Sequence, residues 1–493
     1  MSTRRLIIWI TFIAVFVMAA RVSVDTDTWW HLRAGQWVWE HRAILHADTF
    51  SYTRAGATWQ YPGWLIEVPM YLLYQAFGAG GLNVWTAFMV MLAFFFVWKA
   101  MSGGPFLRAF VLIFAVTVSG VYWAARPYMV TFLLSAVYLC LLEDFRWRGA
   151  DRLWWLPVLT VVWVNSHGGF ALGFILWGVY FVRYAWDVVS AWWRSRQGIA
   201  PDGVDLGKAV ITFRYMFVIG LLMGMAIMLN PYGVEMYMYP FKTVGIGTLR
   251  EFIQEWQSPD FHQLQVQPFA WMLLLILGVV GVSRHPISFV DFCLVAGLAY
   301  MGLLAGRNIA TFALAAPIVL SRHLAPIVSG WGERWGLGKQ AQIPVRLSRA
   351  QRWGNAGLLG ILILAGGVKT AYVFLPEINE KHFHETLPVE AVEYIRAERP
   401  PGRLFNAYDW GGYLLWALPE YAVFVDGRTD LYGDEVIGEW LQVVRAEDGW
   451  EEVLEGWEVR LLLGAPGWPV VRLLEGKGWR LLYADELAVV YSK

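Results

Sequence analysis

The stretch RRLIIWITFIAVFVMAARVSVDTDTWWHLRAG, from Arg4 to Gly35, decides the fold, because an apolar run leads directly into two aspartates. Arg4 and Arg5 precede an apolar run that is long enough to cross a bilayer. The run continues almost to Val24 without a clean small-x-small cleavage motif. We therefore predict a retained first span rather than a cleaved signal peptide. The aspartates then lie where the chain leaves the membrane.

The composition is that of a membrane protein. Of 493 residues, 57% are hydrophobic and only 16% are charged, and the mean hydropathy is +0.45. Soluble domains carry roughly 25% charged residues. The formal net charge is zero, so no basic field indicates nucleic acid as a partner. Cys140 and Cys293 lie in apolar runs and give no support to a disulfide or a metal site.

Apolar runs recur along the chain and predict about eleven membrane spans. The polypeptide is therefore predicted to be a polytopic α-helical membrane protein. The approximate limits of the spans are 6–23, 82–99, 106–123, 128–143, 152–164, 169–187, 211–229, 268–283, 287–304, 309–321 and 355–375.

Lysine and arginine set the predicted orientation, since they favour cytoplasmic loops. We predict a multi-pass protein of the plasma (inner) membrane whose N-terminus lies in the cytoplasm. The odd span count then places the C-terminal segment outside. The basic residues of the predicted inside loops are Lys99, Arg146, Arg148, Arg152, Arg194, Arg196, Lys208, Arg284, Arg334, Lys339, Arg346, Arg349 and Arg352.

One apolar stretch does not fit this count. PGWLIEVPMYLLYQAFGAGG, from Pro62 to Gly81, is short and contains Glu67 and Pro69. Counting it as a span would place the later arginine clusters outside. We therefore predict an interfacial or re-entrant helix packed against the bundle. A second interfacial helix is predicted from Thr28 onward by its helical stripe of apolar residues.

Polar and ionisable residues collect on the predicted outer face, in the first outer loop (21–81), the long outer loop (230–268) and short turns between spans. Ordinary structural roles compete with a functional one. An arginine at a span end often extends its charged group to the membrane surface, tryptophans form an interfacial belt, and aspartates cap helices. Their convergence on one face nevertheless predicts a substrate site. The residues are Asp25, Asp27, Trp30, His31, Glu67, Arg126, Asn165, His167, Glu235, Glu255 and Arg307.

Three motifs carry a resemblance to a known group: D-x-D-x-W-x-H (Asp25 to His31), W-x-N-x-H-G-G (Trp163 to Gly169), and the tail FNAYDWGGYLLW followed by VFVDGR. The chain resembles the GT-C superfamily of integral membrane glycosyltransferases, which use polyprenyl-phosphate sugars, and looks closest to a bacterial subgroup. Protein mannosyltransferases and aminoarabinose transferases of that superfamily carry a catalytic aspartate in the first outer loop. Thr28 stands where their motif has glutamate, and Asp25 supplies the second carboxylate instead.

The resemblance implies transfer of a sugar from a polyprenyl-phosphate donor to a glycan, lipid or protein acceptor on the extracytoplasmic face. It points to Asp27 as the base, with Asp25 as the other candidate. Arginine suits phosphate binding, so Arg126 and Arg307 are candidate phosphate ligands. A divalent metal, Mg or Mn, between Asp25 and Asp27 is left open. The remaining candidate substrate-binding residues are His31, Glu67, Asn165, His167, Glu235 and Trp30.

Two other functions remain open at this stage. A transporter or flippase for a lipid-linked glycan would show internal repeats and polar residues at mid-membrane, and no repeat is evident in the sequence. The sequence barely distinguishes a ligase that moves a whole glycan polymer from a glycosyltransferase that moves a sugar.

The chain divides by composition into a membrane part, 1–376, and an extracytoplasmic α/β domain, 377–493. EAVEYIRA and DEVIGEWLQVVRA are predicted helices, while RLFNAYDWGGYLLWAL, YAVFVDGR, EVRLLLG and LAVVYSK are predicted strands. Asp409, Asp426, Arg428 and Asp430 fall at predicted turns, where turn chemistry competes with acceptor binding as their role.

Overall fold

The computed structural model describes residues 1–23, 25–199, 205–247, 253–334 and 347–493. A helix occurs at every predicted span. Within these ranges the α-helices up to Tyr372 are α1 Thr3–Ala19, α2 Thr28–His41, α3 Trp64–Ala100, α4 Pro105–Ser119, α5 Tyr128–Arg148, α6 Trp155–Val164, α7 Ala171–Arg196, α8 Leu206–Ile227, α9 Tyr239–Gly245, α10 Gln267–Val282, α11 Phe289–Leu304, α12 Ile309–Arg334 and α13 Arg349–Tyr372.

The described helices are those of a multi-pass membrane protein. Seven are long and apolar enough to cross a bilayer, and three shorter helices, α6, α10 and α11, are also apolar. The count of about eleven spans and the orientation of the termini stay predictions. Lys339 and Arg346, two of the predicted inside residues, lie outside the described residues.

Helix α3 contains the stretch that did not fit the span count. Gly78 has φ 59° and ψ −157°, a left-handed conformation that glycine adopts without a Cβ clash. It divides α3 into 64–77 and 79–100. The first part contacts α2, since Glu67 pairs with His31. A kink joins this part to the following span, and its interfacial or re-entrant position stays a prediction.

At the end of the bundle away from α2, buried charges are paired. Glu143 and Asp291 are 2% and 3% exposed, and the guanidinium of Arg322 contacts both. Arg146 lies 3.0 Å from Asp291. Charge inside a membrane bundle is tolerated when it is paired in this way, so this cluster ties α5, α11 and α12 together.

The C-terminal segment is α/β, as predicted, but its strands are shorter. Its elements are α14 Pro376–Thr386, α15 Val389–Glu398, β1 Arg403–Asn406, α16 Tyr408–Ala417, α17 Thr429–Val444, α18 Trp450–Gly456, β2 Val459–Gly464, α19 Val471–Leu474, β3 Arg480–Ala484 and β4 Val489–Ser492. The sheet order is β1-β2-β4-β3, with β1 parallel to β2 and the other pairs antiparallel.

Two strand predictions were wrong in part. Only RLFN is a strand in the first predicted stretch, because YDWGGYLLWA forms α16, whose Trp410, Leu414 and Leu415 are buried on one face. YAVFVDGR forms no strand of the sheet, and its Val423 makes one isolated parallel bridge with Ser51. The segment extends toward the first outer loop instead of joining the sheet.

The first outer loop and the C-terminal segment share one hydrophobic core. Trp29, Trp30 and Leu32 of α2 pack with residues such as Leu404 and Trp410. Burying these apolar surfaces against each other is the main force that holds the two parts together. The C-terminal segment is therefore fixed directly over the acidic turn.

A buried charge cluster reinforces this joint. The Arg428 guanidinium donates two hydrogen bonds to Asp426, at 2.8 and 2.7 Å. It donates a third, at 2.6 Å, to Asp48 of the first loop. All three side chains are 0% exposed, and Ser51 and Tyr432 donate further hydrogen bonds to the carboxylates.

Candidate active site

A cavity of about 500 Å³ lies where α2, α5, the turn before α12 and the C-terminal segment meet. Eight of the residues predicted for the outer-face site line it, namely Asp25, Asp27, Trp30, His31, Arg126, His167, Glu255 and Arg307. Five others come from the C-terminal segment: Tyr408, Asp409, Gly427, Thr429 and Asp430. Chain segments far apart in sequence thus build a single pocket.

The side chain of Arg126 is the centre of the polar wall. Its Nη1 lies 2.8 Å from Asp27 Oδ2 and its Nε 3.1 Å from Asp25 Oδ2, while Nη2 donates to the carboxylate of Glu255. These four side chains are between 16% and 30% exposed. Three carboxylates therefore share one guanidinium in a largely dehydrated setting, where electrostatic interactions are strong.

The two aspartates have different surroundings. Asp25 Oδ1 accepts the backbone N–H of Asp27, at 3.0 Å, so Asp25 holds the turn in shape. Asp27 stands at the N-cap of α2 but makes no capping hydrogen bond with its side chain. Its carboxylate faces the cavity and Arg126 instead. A Cβ on Gly427 would lie 1.9 Å from Asp27 Oδ1, so only glycine permits this approach of the C-terminal segment.

Burial and charge shift the pKa values of these acids. Burial raises the pKa of Asp27 to about 7, opposed by Arg126 and assisted by the negative charges of Asp25 and Glu255. Burial also raises the pKa of Asp25. For Glu255 burial is outweighed by Arg126 and Arg307, which lower the pKa of that carboxyl. Asp27 is therefore an acid that changes protonation near neutral pH.

His167 is held as a neutral donor. Its Nδ1 accepts the backbone N–H of Gly169, at 3.0 Å, and lies 2.8 Å from the hydroxyl of Thr131. Because the indole N–H of Trp163 donates to that hydroxyl oxygen, the hydroxyl proton is directed to Nδ1. The ring then carries its proton on Nε2. Burial, with Arg307 and Arg126, lowers the pKa of His167 to about 3.

Arg307 is the second cation of the cavity. Its guanidinium stacks 4.6 Å from the ring centre of Trp256 and 6.0 Å from that of Tyr128. It forms no ion pair among the residues that the structure describes. Stacking fixes the plane of the guanidinium and leaves its N–H groups available for an anion.

The predicted residues do not all reach the cavity wall. His31 lines it, and Glu67 lies behind His31, with 2.6 Å between Oε1 and Nδ1. Asn165 is buried away from the wall, and its amide is used by Trp64, Asn230 and two backbone carbonyls. Glu235 pairs with Gln60 on the surface. Glu67, Asn165 and Glu235 therefore make their contacts outside the cavity lining.

A second cavity of about 490 Å³ lies on the other side of the same polar wall. The two cavities share Asp25, Arg126, Gln254 and Glu255. The second is also bordered by Arg21 and by Tyr122 and Trp123, at the ends of α1 and α4. The carboxylate–guanidinium cluster thus has open space on two sides.

The acids of this wall do not fit a divalent metal in the arrangement observed. Each of the three carboxylates that could ligate an ion is turned onto Arg126. Within the described ranges, no group of three or more His, Cys, Asp or Glu side chains is placed to hold one. The centre that a metal would need is filled by the guanidinium.

No protein-family profile and no curated sequence matches the chain. Several solved structures match its fold. Oligosaccharyltransferase AglB from Archaeoglobus fulgidus, in complex with an inhibitory peptide and a dolichol-phosphate, has a TM-score of 0.56 at 10% identity, over 94% of this chain and 69% of that one. The same archaeon's oligosaccharyltransferase tethered with an acceptor peptide has a TM-score of 0.55 at 12% identity, with the same coverage.

ArnT from Cupriavidus metallidurans has a TM-score of 0.47 at 14% identity, over 97% of this chain and 96% of that one. At such identities the likeness to the oligosaccharyltransferase shows the fold. The chain therefore shares the fold of that oligosaccharyltransferase, in agreement with the predicted polytopic helical fold that carries a C-terminal α/β segment.

Proposed function

We propose that this chain is a membrane glycosyltransferase that moves a sugar from a polyprenyl-phosphate carrier to an acceptor, with Asp27 as the base. The observation that carries the proposal is the position of Asp27: its carboxylate lies in the cavity wall beside Arg126 and takes no part in capping α2. The fold likeness adds support, because the archaeal oligosaccharyltransferase was solved with a dolichol-phosphate.

Arg307 and His167 are the proposed phosphate ligands. Arg307 stacks on Trp256 and forms no ion pair with any residue in the described ranges, and His167 presents a neutral Nε2–H to the same cavity. Both donors stabilise the charge that develops on a departing phosphate. Arg126 was predicted to share this role, but its three nitrogens already face carboxylates. Its proposed role is to orient Asp27.

Asp27 has the properties of a general base. The most effective base has a pKa near the working pH, because it is then both deprotonated and able to accept a proton. A pKa of about 7 meets this condition. The carboxylate also stabilises positive charge on the sugar ring as the bond to phosphate breaks.

The remaining cavity wall suits a sugar and a hydroxyl-bearing acceptor. Trp30, Tyr61 and Tyr408 offer ring faces and edges, which pack against the apolar faces of sugars. Thr429 and Asp430 add hydrogen-bonding groups from the C-terminal segment. In this proposal the segment 377–493 is an extracytoplasmic domain that completes the site of the membrane part, 1–376.

Replacement of Arg307 tests the phosphate site. We expect Arg307→Ala to weaken binding of undecaprenyl phosphate to the detergent-solubilised protein by about 10- to 100-fold, the value of charge-assisted hydrogen bonds. Native mass spectrometry measures this binding. Arg42→Ala is the matched control, because Arg42 stacks on Trp39 outside the cavity and its loss leaves binding unchanged. Equal binding by wild type and Arg307→Ala would contradict the assignment.

The pH dependence tests the base. The groups that face Asp27 are Arg126, Asp25, Glu255 and Tyr408. Because the base acts when deprotonated, we expect kcat/KM for the donor, which reports the free enzyme, to rise about tenfold per pH unit below 7 and to level off above it. Hydrolysis or transfer of a labelled sugar at each pH gives the profile. A rate that falls as the pH rises through 7 would contradict this role.

A further inference from the structure

Three acids that lie far apart in sequence meet on one cation. Asp25 and Asp27 belong to the turn before α2, and Glu255 belongs to the long loop between α9 and α10. Each places a carboxylate oxygen within ion-pair distance of a different nitrogen of Arg126. The nitrogens of the planar guanidinium are thus divided one to each acid.

This set of ligands is one that a metal ion prefers. Carboxylate oxygens are the ligands of Mg²⁺ and Mn²⁺ in proteins. Three carboxylates brought this close repel one another unless a cation lies between them. Arginine is a permanent cation, since it does not lose its proton in proteins. In this chain the compensating charge is therefore part of the polypeptide.

Arg126 is also held in place by its backbone, although cavities lie on both sides of its side chain. Its side chain is 16% exposed, and it stands in the wall between the two cavities. The preceding residues fix its backbone, because the Arg126 N–H donates to the carbonyl of Ala124 at 2.8 Å and the Ala125 carbonyl accepts the Thr28 hydroxyl at 3.1 Å. The guanidinium is therefore positioned by the same turn that carries the aspartates.

We propose that Arg126 is a built-in cation that takes the place of a divalent metal, and that the site binds no metal while Arg126 is present. The metal-binding half of this proposal is independent of the proposed transfer reaction. The functional half, that activity needs no added metal, depends on that reaction.

Arg126→Met removes the cation and leaves the three carboxylates. We expect this variant to bind Mn²⁺ at least about 100-fold more tightly than wild type, because a unit charge about 4 Å away no longer repels the ion. Electron paramagnetic resonance of Mn²⁺ titrated into purified protein measures bound and free ion directly. Size-exclusion chromatography and circular dichroism establish that the variant is folded.

Two further variants define the site. Arg126→Lys keeps a positive charge and is expected to bind no Mn²⁺. Arg126→Met combined with Asp25→Asn and Glu255→Gln loses the ligands and is expected to lose the gained binding. Tight Mn²⁺ binding by wild type that Asp25→Asn removes would overturn the proposal. A folded Arg126→Met protein that binds no more Mn²⁺ than wild type would overturn it as well.

The activity of the same proteins separates the two proposals. We expect EDTA to leave wild-type transfer unchanged and Mn²⁺ to restore part of the activity lost in Arg126→Met. Wild-type activity that EDTA abolishes and Mn²⁺ restores would overturn the metal inference alone. A wild-type protein that transfers no sugar would overturn the proposed function, while the Mn²⁺ titration would still decide the metal inference.

Discussion

Replacing Asp27 with Asn is expected to lower sugar transfer by about 100- to 10,000-fold, the usual contribution of a general base. Asparagine keeps the shape of the side chain but cannot accept the acceptor's proton. Asp27 makes no capping hydrogen bond in α2, so the helix does not depend on its carboxylate. The loss should therefore fall on the rate at saturating donor and leave binding of the carrier nearly unchanged.

The neighbouring acids give the controls for this experiment. Asp25→Asn keeps Asp27, and the asparagine Oδ1 can still accept the Asp27 N–H that holds the turn, so this variant is expected to lose less activity. Asp260→Asn alters an exposed acid of the second cavity that pairs with His262, and it should act like wild type. If Asp27→Asn transfers sugar at a rate within a few-fold of wild type, Asp27 is not the base.

Replacing Arg428 with Met is expected to lower the free energy of unfolding by about 3–5 kcal/mol, the cost of leaving a buried partner charge uncompensated. Asp48 and Asp426 would both stay buried, at 0% exposure, without the guanidinium that joins them. Because Asp48 belongs to the first loop, the joint between that loop and the C-terminal segment should open first.

Chemical denaturation followed by tryptophan fluorescence measures this loss. Arg445→Met is the matched control, since Arg445 pairs with Glu447 on the surface with both side chains more than half exposed. Such pairs contribute less than about 1 kcal/mol. A loss in Arg428→Met no larger than that of the control would show that the buried cluster does not hold the joint.

The membrane helices were predictable because the bilayer imposes a simple rule of length and apolarity. The kink at Gly78 was not, since its sequence signal is a single glycine within a glycine-rich stretch. The helix at Tyr408–Ala417 was mistaken for a strand, because a short apolar run fits either element and only its packing decides. The missed strand Arg480–Ala484 pairs with β4, a tertiary contact that sequence periodicity does not report.

The site was predicted about as far as local motifs allow. Asp27, Arg126, His167 and Arg307 stand at span ends, where charge is unusual, and the structure brings them to one cavity. Asp430 carried a weaker signal, since aspartates in loops are usually turn residues. Its position in the cavity follows from the buried contact of Arg428 with Asp48, which joins residues 380 positions apart in sequence.

The same reasoning explains the predictions that the cavity does not include. Asn165 belongs to a motif that looked polar and exposed, yet the hydrogen bonds of its amide link α6, α3 and the turn after α8. Glu67 is covered by His31. A sequence shows that a polar residue lies near a span end, but the direction of its side chain depends on the packing of neighbouring helices.

The most direct test is a density map of the protein in a lipid nanodisc with undecaprenyl phosphate bound. We expect the phosphate in the cavity of about 500 Å³, in hydrogen-bond contact with Arg307 and His167 Nε2. Asp27 should face the side of the phosphate where the sugar would be attached. A phosphate bound away from this cavity, for example beside Arg322 at the other end of the bundle, would contradict it.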